Sequence, residues 1–175
     1  PASAVEEAPP VVTEPKLRDL QPGSVIAERY RLDAEIGAGT FGTVYRGVHL
    51  QLESDVAIKV LQISEQDEEA LARFRQEGVS ACRIQHPNAV AISDFGVTSA
   101  GVAYLVMELL EGEDLDDVLQ RDHALTPKQC AEILMPTCFV LAEAHARGIV
   151  HRDIKPGNIF LAKRKGQTVV KVLDF

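Results

Sequence analysis

The three glycines of "IGAGTFGTV", Gly37, Gly39 and Gly42, restrict the fold of this chain more than any other feature. A residue with no side chain lets backbone amides come close to a phosphate. The same G-x-G-x-x-G spacing serves a plain glycine-rich turn or a dinucleotide fingerprint, and the fingerprint must open a helix. Here the glycines run into "TVYRGV", a β-branched and aromatic stretch that favours strand. The expectation is therefore a flap between two antiparallel strands.

The neighbouring pattern extends this reading. "YRLDAEI", "GTVYRGVHL" and "SDVAIKVLQ" are rich in Val, Ile and Tyr and separated by glycine or polar clusters, which predicts three antiparallel strands. "EQDEEALARFRQEGVSACRI" carries apolar or small residues at 71, 74, 78 and 81, a helical spacing. A strand pair, "AVAISDF" and "VAYLVME", and a short acidic helix, "EDLDDVLQ", come next. Thr126, Pro127 and Gln129 form a capping box with proline at the first helical position. The long helix they open is apolar nearly all round as far as Gly148, so it is expected to be buried, with a kink at Pro136. The last 18 residues suggest a hairpin turning at Lys165-Gly166. Strands first and helices second give an α+β fold in two lobes, an antiparallel β small lobe and the first part of a helical large lobe.

Composition excludes some functions. A net charge of −8 without a basic tract argues against nucleic-acid binding. The most apolar stretch, "ILMPTCFVLA", is too short to span a bilayer, and no signal peptide opens the chain. Cys82, Cys130 and Cys138 show no C-x-x-C spacing. On one helix Cys130 and Cys138 would lie about 12 Å apart, too far to bridge, so buried thiols in a reducing compartment are expected. Residues 1–24, rich in Pro, Ala and Glu at their start, are expected to be a disordered linker. With no initiator methionine and an end just after an aspartate, the chain is expected to be a fragment cut at both ends.

Lys59 interrupts an apolar strand in "VAIKV". It reads either as an exposed strand lysine or as an inward ammonium that needs a partner, because burying an unpaired charge is costly. Glu77 is a candidate partner, or else a surface partner of Arg73 at i,i+4. "HRDIKPGN", residues 151–158, places polar functional groups between a helix and a strand, a poor core and a good active-site loop. An aspartate and an asparagine five positions apart suit a hydroxyl proton and a metal ion respectively.

These motifs, in this order, resemble the eukaryotic-type serine/threonine protein kinases in their bacterial form. The resemblance runs from about residue 28 to the end: Gly37-x-Gly39-x-x-Gly42-x-Val44, Val56-Ala57-Ile58-Lys59, Glu77, His151-Arg152-Asp153, Asn158, then Asp174-Phe175. It implies an incomplete kinase domain over 25–175, with a small lobe to about 108, a hinge at 108–112 and a partial large lobe from 113. ATP and Mg2+ are the implied cofactors. Ile36, the glycines and Val44 would cover the nucleotide, and Lys59, paired to Glu77, would hold the α- and β-phosphates. Met107 would stand behind adenine, the backbones of Glu108 and Leu110 would bond its edge, and Ala57, Val44 and Phe160 would sandwich the ring. Asp114 would either reach the ribose or cap the acidic helix. Asn158 and Asp174 would bind magnesium, and Asp153 would take or orient the substrate hydroxyl proton. A second D-F-G, at Asp94-Phe95-Gly96, precedes the catalytic loop and is read as a turn.

Lys155, two residues after Asp153, resembles the serine/threonine branch, and Arg152 resembles kinases switched by phosphorylation of an activation loop. The implied partners are protein substrates bearing Ser or Thr, with autophosphorylation of the intact protein, in the cytoplasm or in the cytoplasmic part of a membrane-anchored kinase. The 175-residue piece is expected to expose apolar surface and to be inactive by itself. The alternative is a nucleotide-binding pseudokinase or signalling scaffold.

Overall fold

The structure, a computed structural model, describes residues 14–39, 42–63 and 67–175, without the side chains of Glu77, Ser80 and Ala81. Among these residues the chain forms β1 (Val25–Ile26), β2 (Tyr30–Gly39), β3 (Gly42–His49), β4 (Ser54–Leu61), α1 (Glu68–Ala81), β5 (Ile92–Val97) and β6 (Ala103–Glu108). Then come β7 (Gly112–Asp114), α2 (Leu115–Asp122), α3 (Pro127–Ala146), β8 (Ile159–Arg164) and β9 (Gln167–Val172). The first six strands make one antiparallel sheet in the order β1-β2-β3-β4-β6-β5, and the last three make another in the order β7-β8-β9.

Alternation along β4 divides its residues between two cores. Val56, Ile58 and Val60 join Tyr30, Leu32 and Tyr45 on one face. Ala57 joins Val90 and Met107 on the other, and Lys59 shares that face by position. Residues 1–13 of the expected linker lie outside the described residues. The part from Glu14 onward packs: Leu20 sits against the first core, and Glu14 accepts from the Ser99 amide and hydroxyl, both at 2.6 Å.

The expected turn at Asp94-Phe95-Gly96 is corrected, because these residues lie within β5. Tertiary contacts override the turn preference of Asp and Gly. Asp94 sits at a register shift, accepts from the Tyr30 hydroxyl at 2.7 Å and pairs with Arg29 at 2.9 Å. The Phe95 ring packs edge-on to Phe74 at 6.1 Å between centroids and occupies the space that a side chain on Gly78 would fill.

Helix α3 opens with the expected capping box at Thr126 and Gln129 and runs on through Pro136. It corrects the expectation of burial all round. Ile133, Thr137, Val140 and Ala144 form one buried stripe, whereas Leu134, Met135 and Phe139 are exposed. The expected burial of the thiols is corrected with it: Cys138 is exposed on the same helix, and Cys82 and Cys130 are only half-buried. The final hairpin turns at Lys165 (φ 49°) and Gly166 (φ 79°), both in the left-handed region, which matches a two-residue turn to the twist of its strands. No helix among the described residues is long and apolar enough to cross a membrane.

The stretch 88–91 joins the two sheets. Ala89 bridges Val172 in parallel, the Val90 amide donates to the Val172 carbonyl at 2.9 Å, and the Val172 amide donates to the Asn88 carbonyl at 2.7 Å. The Asn88 side chain donates to the Val170 carbonyl at 2.8 Å. Strand β9 is thereby tied to the first sheet just before Asp174.

Candidate active site

The glycines sit where β2 turns into β3, with Gly37 opposite Val44 and Gly39 opposite Gly42. They do not share one steric role. Gly42 has φ 149°, and a Cβ there would run into the Val60 backbone, so the fold itself demands glycine. Among the described residues nothing lies within 4 Å of the place a Cβ would take on Gly37 or Gly39. Ile36, just before them, is exposed.

Register places Lys59 between Val44 on β3 and Leu105 on β6. Its Nζ donates to Asp174 Oδ1 at 2.7 Å, and its side chain is only 15% exposed, so it is the inward lysine and not the solvated one. Glu77 lies on α1, with its side chain outside the described residues. Arg73, its alternative partner, bonds Glu69 at 3.0 Å. A cavity of about 200 Å³ opens beside Lys59, lined among others by Phe74, Leu105, Met107, Asp174 and Phe175.

The loop after α3 is fixed from within. Asn158 is buried, and its Nδ2 donates to the Asp153 carbonyl at 2.8 Å and to Asp153 Oδ2 at 3.0 Å. Both partners are acceptors, so the amide orientation is set and its oxygen is left as an acceptor. Lys155 donates to Asp153 Oδ2 at 2.8 Å. That hydrogen bond, helped by the one from Asn158, holds the exposed Asp153 carboxyl below the ordinary aspartate range. The Leu173 amide donates to the Asn158 carbonyl at 2.9 Å, which sets the loop beside Asp174. Asp174 and Arg152 both have positive φ, 55° and 65°, so each turns sharply at the site.

Ala57 and Met107 face each other in register and form one apolar cluster with Val44, Leu109 and Leu110. Phe160 lies outside that cluster, opposite Asp114 in the second sheet. Asp114 caps α2, accepting from the Asp117 amide at 2.9 Å. Glu108 ends β6, and its carboxylate turns away to bond the Ala91 amide at 2.8 Å and Lys171 at 2.5 Å.

Two residues received no role in the sequence reading. His151 is buried; its Nδ1 accepts from the Asp153 amide at 3.3 Å, so its Nε2 carries the proton and donates to the Leu173 carbonyl at 2.7 Å. Its ring also packs on Phe175 at 4.8 Å. Lys171 is the other, and its signal was present: "VVKVL" interrupts an apolar strand just as "VAIKV" does.

A family model described as "Protein kinase domain" matches residues 30–175. Serine/threonine-protein kinase pkn3 of Myxococcus xanthus is 39% identical over 155 residues, covering 87% of this chain and 28% of that protein. Serine/threonine-protein kinase PknB of Mycobacterium leprae is 38% identical over 154 residues, covering 86% of this chain and 24% of that protein. The chain thus spans about a quarter of the length of these curated relatives. Among solved structures, the PknI kinase domain of Mycobacterium tuberculosis superposes with a TM-score of 0.78 at 27% identity, over 89% of this chain and 61% of that one.

Proposed function

Since the chain belongs to the protein kinase family, we propose that it supplies the nucleotide site and catalytic loop of an enzyme that transfers the ATP γ-phosphate to Ser or Thr hydroxyls of proteins. The observation that carries this reading is the bond from Lys59 to Asp174, which joins a strand of the first sheet to the end of the second across the cavity.

Protein kinases use ATP with Mg2+, and the residues present suit both. Lys59 offers a cation to the nucleotide phosphates. Asp174 and the amide oxygen of Asn158 are hard oxygen donors, the kind Mg2+ accepts alongside substrate phosphates. Bound magnesium supplies neutralisation of the phosphate charge. Phosphoryl transfer asks the protein mostly for positioning and electrostatics. Gly37 and Gly39 leave the flap open for phosphates. Val44, Ala57 and Met107 offer an apolar surface to adenine, whose edge meets the backbone of Glu108 and Leu110. Phe160 would close that surface from below, and Ile36 from the flap. Asp153, ionised and held by Lys155 and Asn158, accepts or orients the proton of the attacking hydroxyl. Lys155 stands ready for the transferred phosphate. Glu77 is proposed as a second partner of Lys59, and Asp114, besides its capping bond, as a ribose contact.

Serine/threonine specificity rests on Lys155 and on the printed names of the relatives. Autophosphorylation and a cytoplasmic site of action belong to the same proposal. The test is to incubate the natural full-length protein with Mg·ATP and peptides bearing Ser, Thr or Tyr. Phosphoserine or phosphothreonine, lost in Asp153→Asn while ATP still binds, is the expected result. ATP binding without transfer in the unaltered protein would favour a pseudokinase.

A further inference from the structure

Lys171 is the outstanding buried charge that this chemistry leaves unused. It is 5% exposed on β9, three residues before Asp174. Its Nζ donates to the Ala89 carbonyl at 3.0 Å and to Glu108 Oε1 at 2.5 Å. The same Glu108 oxygen accepts from the Ala91 amide at 2.8 Å, and the Glu108 amide donates back to the Ala91 carbonyl at 2.9 Å. One ion pair therefore gathers three pieces of chain: the end of β6, the stretch 88–91 and β9.

A buried ion pair is a weak source of stability, because desolvation offsets most of the attraction and apolar residues of similar volume serve as well. What it supplies is a defined geometry. An ammonium with two fixed acceptors and a carboxylate with two fixed donors tolerate little sliding of one segment past another. On one side of the pair, two residues on, lies Leu110; on the other lies Leu173, whose amide and carbonyl bond Asn158 and His151.

We propose that Glu108 and Lys171 are a positioning pair: their bond, buried at Lys171 and partly exposed at Glu108, fixes the backbone from Glu108 to Leu110 against the strand that delivers Asp174, and so sets affinity for the base of the nucleotide. This rests on the reading of Glu108 and Leu110 as the adenine edge. Neither side chain touches the nucleotide.

The test uses the natural full-length protein and adenosine, which has no phosphate and needs no magnesium. Binding is measured by calorimetry for the unaltered protein, Glu108→Gln, Lys171→Met and the double variant, and turnover is measured beside it. Each single change should weaken adenosine binding and raise KM for ATP about tenfold, with kcat within about threefold, and the double variant should lose no more than the worse single. Unchanged adenosine affinity, losses that multiply in the double variant, or a fall in kcat alone would overturn the pairing. If Lys171→Met does not fold, Glu108→Gln decides, since it keeps the volume and the bond from Ala91. Failure of the unaltered protein to bind adenosine would remove the adenine-edge reading first, and this proposal with it.

Discussion

Lys59 and Asp174, 115 positions apart, meet at 2.7 Å, whereas the other aspartate followed by phenylalanine, Asp94, meets Tyr30 and Arg29. Two similar strings thus have different physical duties, and substitution separates them. Asp174→Asn should lower turnover by about a hundredfold or more, as expected when a charge-stabilising group is removed, with little change in thermal midpoint. Asp94→Ala should cost about 1–3 kcal/mol of stability by leaving the buried Tyr30 hydroxyl without its acceptor, with turnover nearly unchanged. Chemical denaturation and a phosphate-transfer assay on both variants check this.

The glycines divide in the same way. Gly42→Ala should destabilise the fold by about 1–3 kcal/mol, because its Cβ meets the Val60 backbone and φ is unfavourable. Gly39→Ala meets none of the described residues and should change stability by less than about 0.5 kcal/mol. Its effect should be a several-fold rise in KM for ATP, since the added methyl narrows the flap. A denaturation curve beside a nucleotide titration distinguishes the two.

The Lys155–Asp153 bond sets a pH dependence. On the proposed mechanism Asp153 acts ionised, and its folded pKa is depressed, first by the bond from Lys155. Its contribution is therefore present at neutrality and is lost only as pH falls through a value below the ordinary aspartate range. Lys155→Met removes the main cause, so the acid limb of kcat/KM should move up toward that ordinary range. An unmoved limb would mean that another group governs it.

All three tyrosines, Tyr30, Tyr45 and Tyr104, have pKa values raised first of all by burial. The folded state holds these protons more tightly than the unfolded one. Stability should therefore be full below the ordinary tyrosine value of about 10 and fall as pH rises through it. Tyr30→Phe should flatten that fall, which a urea titration at several alkaline pH values will show.

The strands, the capping box and the Lys165-Gly166 turn were legible because each depends on neighbours in sequence: periodicity, a cap three residues away, two residues that tolerate positive φ. The contact between Asp153 and Asn158 was legible through spacing, since "HRDIKPGN" keeps them within reach of one another, whereas the roles expected of the candidate site came from the family resemblance. Partnerships between distant segments were not. Nothing in "SDFG" shows that Tyr30 will reach Asp94 from 64 residues away and hold it in a strand. Nor does "KVLDF" show that Glu108 will meet Lys171. The apolar surroundings of Lys171 were a cue that a buried lysine requires a partner, as they were for Lys59.

The ribosome delivers a chain from its first residue to its last. Glu108 emerges 63 residues before Lys171, and Asn88 emerges 82 residues before Val170. The six-stranded sheet has all its strands once β6 is made, yet its polar edge along 88–91 and 108 must stay hydrated while both helices that follow are translated. Arrival of the β8–β9 hairpin then covers that edge, so the cleft beside Lys59 gains its fixed geometry only after β9 has been made.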